Sequence, residues 1–129
     1  MRIALDTNRY VDFCKGDSKA KEIFQQAEEI HLPFVVVAEL RAGFRCGSKG
    51  MENEKTLTRF LNSTRVEILL ADDHTTHHYA NFFAQLRYQG TPIPTNDLWI
   101  ASLVAQNNLI LFDRDRHFDH LPQIPRIRP

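Results

Sequence analysis

The chain has 129 residues, of which 43% are hydrophobic and 25% charged, which suits one globular domain over residues 1–129. Its 16 basic residues balance its 16 acidic residues, which argues against a general nucleic-acid binder, since such proteins are usually basic. The apolar runs are too short to predict a membrane span or a signal peptide, so we expect a cytoplasmic protein.

The N-terminal quarter of the chain predicts one strand and two helices. Residues 2–5 form a short apolar run that ends at Asp6 and indicates a strand. A helix follows, and Thr7 or Asn8 would cap its N-terminus. A second helix is indicated by apolar residues that recur at helical spacing, namely Ala20, Ile23, Phe24, Ala27 and Ile30.

Pro33 would end this second helix, and the residues after it predict a second strand. Residues 34–37 are Phe-Val-Val-Val, a β-branched run too short for a helix, which favours a buried strand. A further helix would follow and stop at Gly47. The polar stretch 48–55 indicates a loop, part of which could extend the next helix.

The second half of the chain repeats the alternation of strands and helices. Residues 66–70 predict a third strand, and Asp72 and Asp73 can cap the helix after it, which Gly90 would end. Asn96 can cap another helix that follows a proline-rich loop.

Two more strands are predicted near the C-terminus. Residues 109–112 form a short apolar run, and residues 124–128 predict an edge strand, because their prolines fit only at an edge. Strands that alternate with helices imply crossover connections, so the predicted fold is α/β with a mostly parallel central sheet.

Four acidic residues stand where predicted strands end or where a helix begins beside them. Asp6 follows the first strand, Glu39 the second and Asp115 the fourth, while Asp97 opens the helix after the proline-rich loop. Functional groups in open α/β sheets collect beyond the carboxyl ends of the strands, so these acids could converge on one rim. Each acid alone could equally be a helix-capping or turn residue, but the four together favour a site.

Convergence of several carboxylates has an electrostatic consequence. Neighbouring carboxylates repel one another, and one or more must protonate unless a cation lies among them. Oxygen ligands suit hard ions, so Mg²⁺ or Mn²⁺ is expected rather than zinc, and these ions commonly serve phosphoryl chemistry. The residues therefore predict a divalent-metal site suited to phosphoryl chemistry.

Four segments of the sequence resemble the PIN-domain family and, within it, the VapC-type toxins of bacterial toxin–antitoxin pairs. The segments are LDTN, VVVAELRAG, PTNDLWIAS and LILFDRDRHFDHLP, and the likeness covers essentially the whole chain in order and length. It implies a three-layer α/β/α fold and an Mg²⁺- or Mn²⁺-dependent endoribonuclease that uses metal-activated water. It also implies a homodimer, a larger toxin–antitoxin complex, and a cognate antitoxin that blocks the acidic site.

The same resemblance implies which residues hold the metal and carry out catalysis. Carried onto this chain, the family's acids are Asp6, Glu39, Asp97 and Asp115. Asp113 stands where the family commonly has threonine or serine, so Asp113 competes with Asp115 for the fourth position. Asp119 is a more distant alternative.

Four arginines near the predicted acids could contact RNA phosphates, although solvated surface charge explains each of them equally well. They are Arg41, Arg45, Arg114 and Arg116. Arg9 and His117 are expected to be exposed to solvent, with a phosphate contact as the alternative for both and an antitoxin carboxylate as a further one for Arg9. Phe118 is expected to anchor its loop by packing.

Two other functions fit parts of the pattern. A catalytically inert PIN-like module would bind RNA or a partner, but intact acids at all four positions argue against it. A Mg²⁺-dependent receiver-type signalling domain has a similar length and a parallel sheet. It would need an acidic pair after the first strand, where this chain has only Asp6, and a lysine after the last strand.

Overall fold

A central sheet of five strands organises residues 1–127, the part of the chain that the computed structural model describes. The strands are β1 (Arg2–Leu5), β2 (Glu29–Pro33), β3 (Val66–Leu69), β4 (Ile110–Phe112) and β5 (Arg126–Ile127). They lie in the order β3-β2-β1-β4-β5, and every neighbouring pair is parallel. The predicted parallel sheet is confirmed.

Six α-helices and one 3₁₀ helix connect the described strands. The helices are α1 (Thr7–Cys14), α2 (Ser18–Gln26), α3 (Phe34–Cys46), α4 (Gly50–Leu61), α5 (Asp73–Gln89) and α6 (Thr95–Gln106), and the 3₁₀ helix is Arg116–His120. Crossovers between parallel strands are right-handed, so the helices between β1 and β3 cover one face and those between β3 and β5 the other. The result is the predicted three-layer α/β/α fold.

The core lies between the layers and explains the apolar runs in the sequence. Ile3, Ala4 and Leu5 of β1 are completely buried, because a parallel strand with helices on both faces has no solvent-facing side. Helix α6 is buried around most of its circumference, including Ile100 and Leu103. Within residues 1–127, no helix combines the length and apolarity needed to cross a bilayer.

The predicted second strand at residues 34–37 is wrong, because these residues open helix α3. The strand lies just before them, at Glu29–Pro33, so the predicted helix beyond Gln26 and its residue Ile30 are also wrong. Val35, Val36 and Val37 are all buried, and a short buried apolar run has the same pattern in a helix as in a strand. Tertiary burial here overrides β-branched preference.

Two helix caps differ from those expected, and one agrees. Asp6 caps α1 by accepting the backbone N–H of Thr7 at 2.8 Å, in place of Thr7 or Asn8. Helix α6 begins at Thr95 after Pro94, so Asn96 lies inside the helix and does not cap it. Asp72 caps α5 as predicted, in a reciprocal arrangement with Thr75.

The predicted C-terminal edge strand is present but shorter than expected. Strand β5 covers Arg126–Ile127 and pairs with β4, with Leu111 opposite Arg126. Residues 124–125 precede the strand, and Arg128 of the predicted range lies outside the described residues. The pairing places the Arg126 guanidinium close to the end of β4.

Candidate active site

The order in which strands are added to the sheet reverses between β1 and β4, and the predicted acids lie near that point. From β1 the chain builds the sheet outward through β2 and β3, and then returns to the other side of β1 to add β4 and β5. Ligands of open α/β sheets bind beyond the carboxyl ends of the strands at such a reversal. The Asp6 N–H donates to the Phe112 carbonyl at 3.2 Å, which joins the two strand ends directly.

Asp6 is held rigidly at the end of β1 and is only 4% exposed. Burial raises the pKa of its carboxyl to about 7, although the hydrogen bond from the Thr7 N–H opposes this rise. The negative charges of Asp97, Asp115 and Asp113 raise the pKa further. The pocket therefore opposes full ionisation of its own acids.

Asp97 lies in the first turn of α6 and is 8% exposed. Burial, and then the charge of Asp115, raise the pKa of Asp97 to about 6. A hydrogen bond with His117 works in the opposite direction, and the charge of Glu39 raises the pKa again. The structure thus brings these acids into one electrostatic neighbourhood.

Glu39 approaches the site from α3 and is more exposed than Asp6 or Asp97. The Thr7 hydroxyl donates to Glu39 Oε1 at 3.2 Å, so the residue after Asp6 positions this glutamate. The sequence predicted Thr7 only as a helix cap, because its contact with Glu39 depends on how α1 and α3 pack.

The structure separates the two candidates for the fourth acid. Asp113 is 2% exposed, and its two carboxylate oxygens accept bonds from Arg126 Nε at 3.0 Å and Nη2 at 2.7 Å. The same carboxylate accepts the Asp115 N–H at 3.0 Å. Asp113 is therefore engaged in a buried ion pair, and the exposed Asp119 also contacts Arg126. Asp115 is left facing Asp97.

His117 is exposed, as expected, but it also lies between Asp97 and Asp115, a contact that the sequence did not predict. Its Nδ1 is 2.8 Å from Asp97 Oδ2 and 3.0 Å from Asp115 Oδ1. One possible ligand atom from each of the three residues lies within 4.8 Å of the other two. The signal in the sequence that could have indicated the contact with Asp115 was spacing, since His117 follows Asp115 by two residues, within one short helical turn.

Arg9 is buried beneath the site, contrary to the expectation of a solvated side chain. It is 6% exposed, and its guanidinium carbon lies 4.5 Å from the centre of the Phe112 ring. Its Nε donates to the Asp113 carbonyl at 3.3 Å and its Nη1 to Asp12 at 3.4 Å. Arg9 therefore supports the loop after β4 from inside the protein.

The four predicted phosphate-binding arginines occupy different surroundings. Arg41 pairs with Glu54 at 3.0 Å, and Arg114 forms two bonds to Asp12 at 2.9 and 3.0 Å. Arg45 and Arg116 are exposed. Arg41 and Arg45 also line a cavity of about 1020 Å³ between α3 and α4. The four predicted metal-site acids do not line this cavity.

The donor set fits a divalent cation. Asp97, Asp115 and His117 offer ligand atoms within 4.8 Å of one another, while the charges of Asp97 and Asp115 act on Asp6 and that of Glu39 acts on Asp97. Burial is the main cause of the raised pKa values of Asp6 and Asp97, and neighbouring carboxylates raise them further, so a cation among these acids would favour their ionised forms.

Comparisons with known proteins agree with this architecture. The PIN domain family model matches residues 3–124, so the chain belongs to the PIN-domain family. Within that family it is of the VapC type, and the resemblance seen in the sequence is confirmed.

Three relatives show how close the match is. Ribonuclease VapC1 of Haemophilus influenzae is 32% identical over 111 residues, which cover 83% of this chain and 81% of that protein. Ribonuclease VapC2 of Rickettsia felis is 29% identical over 104 residues, covering 80% and 76%. The crystal structure of Rickettsia felis VapBC2 bound to a promoter DNA fragment matches 98% of both chains, with a TM-score of 0.84 and 27% identity.

Proposed function

We propose that this chain is a cytoplasmic endoribonuclease that depends on a divalent metal ion, with a single PIN-like domain over residues 1–129. We also propose that it is the toxin of a type II toxin–antitoxin pair. The relatives named above as VapC ribonucleases support the activity, and the VapBC complex of Rickettsia felis supports the pairing. The observation that carries the proposal is the group of acids at the reversal of the sheet.

Asp6, Asp97 and Asp115, with Glu39 at the margin, would hold Mg²⁺ or Mn²⁺. Such an ion supplies an activated water and offsets the negative charge that grows on a phosphate during hydrolysis. The buried positions of Asp6 and Asp97 fix their carboxylates before the substrate arrives, and Thr7 holds Glu39 in place. Preorganised charge of this kind is a large contribution to catalysis.

Exposed arginines near the acidic pocket would bind the RNA backbone. Arg116 is exposed directly beside Asp115, and Arg45 lies on the same helix as Glu39. Arg41 and Arg114 are already paired with Glu54 and Asp12, so they would contribute less. Phosphate contacts of this kind provide affinity without sequence selection.

The activity is tested by incubating the purified chain with total RNA and Mn²⁺ and mapping the cleaved ends. We expect 5′-phosphate and 3′-hydroxyl products. Asp97→Asn should reduce the cleavage rate by at least about a hundredfold, the scale of losing one preorganised charged group. Asp73→Asn is the matched control, since Asp73 is an exposed acid at the start of α5.

Two results would contradict this activity. Undiminished cleavage in excess chelator would exclude a metal-dependent mechanism, and full activity in Asp97→Asn would exclude the acidic site. Tight Mn²⁺ binding without any RNA cleavage would instead support the inert PIN-like module.

The pairing predicts that a small DNA-binding protein is encoded beside this chain, and it is tested by expressing the two together. We expect the two proteins to copurify and RNA cleavage to be suppressed in the complex. Light scattering on the chain alone should give the mass of a homodimer. Failure of the neighbouring protein to bind or to inhibit would overturn the toxin–antitoxin assignment while leaving the nuclease assignment intact.

A further inference from the structure

We infer that His117 supplies a nitrogen ligand to the metal ion, so that the site binds Mn²⁺ and other transition ions in preference to Mg²⁺. The inference rests on the metal site of the proposed function. It adds a histidine to a set of acids that would otherwise favour Mg²⁺, and it predicts which ion the protein selects.

The distances around the imidazole agree with neighbouring positions in one coordination shell. When metal–ligand bonds are about 2.1 Å and the geometry is octahedral, adjacent ligand atoms lie about 3 Å apart. His117 Nδ1 lies 2.8 Å from Asp97 Oδ2 and 3.0 Å from Asp115 Oδ1. All three atoms lie within 4.8 Å of one another, so one ion placed among them can contact all three once the side chains adjust.

A hydrogen bond alone accounts less well for this arrangement. Nδ1 carries at most one proton, yet two carboxylate oxygens face it at hydrogen-bonding distance. The ring makes its one hydrogen bond with Asp97, while Asp115 Oδ1 accepts the His117 backbone N–H, whereas a cation would bind both oxygens and the nitrogen lone pair together. The ring would then be a ligand and not only an outer partner that orients the acids.

The backbone around His117 is fixed in a way that holds the ring in position. The neighbouring Phe118 is completely buried, and the His117 N–H donates to Asp115 Oδ1 at 2.9 Å. Arg126 Nη2 donates to the Asp115 carbonyl at 3.0 Å. These contacts restrain the main chain, so only the side-chain hydrogen bonds need to be exchanged for metal contacts.

The chemical consequence is a change in ion preference. Carboxylate oxygens suit Mg²⁺, while imidazole nitrogen favours transition ions. Removal of the nitrogen should raise the Kd for Mn²⁺ by at least about tenfold, the scale that even outer partners of metal ligands show. The Kd for Mg²⁺ should change by less than about threefold, because Mg²⁺ gains little from a nitrogen ligand.

The experiment compares the wild-type chain with His117→Gln and with the control His120→Gln. A glutamine amide can still donate a hydrogen bond to the acids, but it offers no imidazole nitrogen. His120 is an exposed histidine at the end of the same 3₁₀ helix. Calorimetric titration gives the Kd of each ion, and electron spin echo spectroscopy of bound Mn²⁺ detects a coordinated nitrogen.

We expect nitrogen coupling to Mn²⁺ in the wild type and in His120→Gln, and its loss in His117→Gln. Wild-type Mn²⁺ binding without nitrogen coupling would overturn the inference. Equal weakening of Mn²⁺ and Mg²⁺ binding in His117→Gln would also overturn it. Both results would leave the proposed metal site standing. Absence of Mn²⁺ binding by the wild type would overturn both. The wild-type spectrum decides the question even if the variant folds poorly, which circular dichroism would show.

Discussion

Replacement of Asp6 by asparagine should stabilise the metal-free protein at neutral and higher pH. Asp6 is buried, and its pKa is raised from 3.8 to about 7. In the unfolded chain the carboxyl ionises near its ordinary pKa, whereas in the folded protein it keeps its proton until about pH 7. Asparagine is neutral at every pH and can still accept the Thr7 N–H as a helix cap.

The magnitude follows from the difference between the two pKa values. A rise from 3.8 to about 7 corresponds to about 4 kcal/mol, at 1.36 kcal/mol per pH unit. The folded state binds more protons than the unfolded state across this range, so the free energy of unfolding falls as pH rises from 4 to 7. Because the charges of neighbouring acids contribute part of this rise, we expect Asp6→Asn to recover about 2–4 kcal/mol at pH 8 and little at pH 4.

The assay is urea denaturation of the wild type and Asp6→Asn at pH 4 and pH 8, in chelator and in Mn²⁺. Mn²⁺ should stabilise the wild type at pH 8, since a ligand that binds only the folded state adds to its stability, and should stabilise the variant much less. The reasoning is refuted if Asp6→Asn loses stability at pH 8 in chelator, or if its stability depends on pH as strongly as that of the wild type.

Three further predictions concern the loop after β4. Arg126→Met should cost about 3–5 kcal/mol in urea denaturation, because it leaves the buried Asp113 carboxylate without its partner; adding Asp113→Asn should recover part of this loss, and no recovery would contradict the ion-pair explanation. Phe118→Ala should lower the free energy of unfolding by about 3–5 kcal/mol and should also weaken Mn²⁺ binding. Unchanged Mn²⁺ binding would mean that the loop holds His117 without this anchor. Arg116→Ala should weaken RNA binding and lower the salt dependence of log Kd by about 1, measured in a non-cleaving Asp97→Asn background; an unchanged salt slope would mean that Arg116 makes no phosphate contact.

The local sequence pattern was sufficient to predict the class of fold and to locate two of the acids relative to its strands and helices. Alternating strand and helix signals indicated a parallel α/β sheet, and such a sheet places strand ends on one rim. Asp6 could be located at the end of β1 because the apolar run before it is short and ends abruptly. Asp97 could be located at the start of α6 because apolar residues continue behind it.

The boundaries of β2 and α3 depended on tertiary structure. Ile30 continues the helical spacing of α2 but belongs to a strand, and Val35–Val37 have the composition of a strand but belong to a helix. Both segments are buried, and burial on all sides removes the periodicity that distinguishes the two kinds of element. Only the packing of the strands against one another decided which run entered the sheet.

The sequence was sufficient to predict the acids of the candidate site, but their partners depended on tertiary structure. The choice between Asp113 and Asp115 depends on Arg126, which reaches Asp113 only because β5 pairs with β4. The placement of His117 depends on a short helical turn that directs its ring toward Asp97, 20 residues earlier in the chain. Ion pairs and ligand sets form between residues that are distant in sequence, so no local pattern records them.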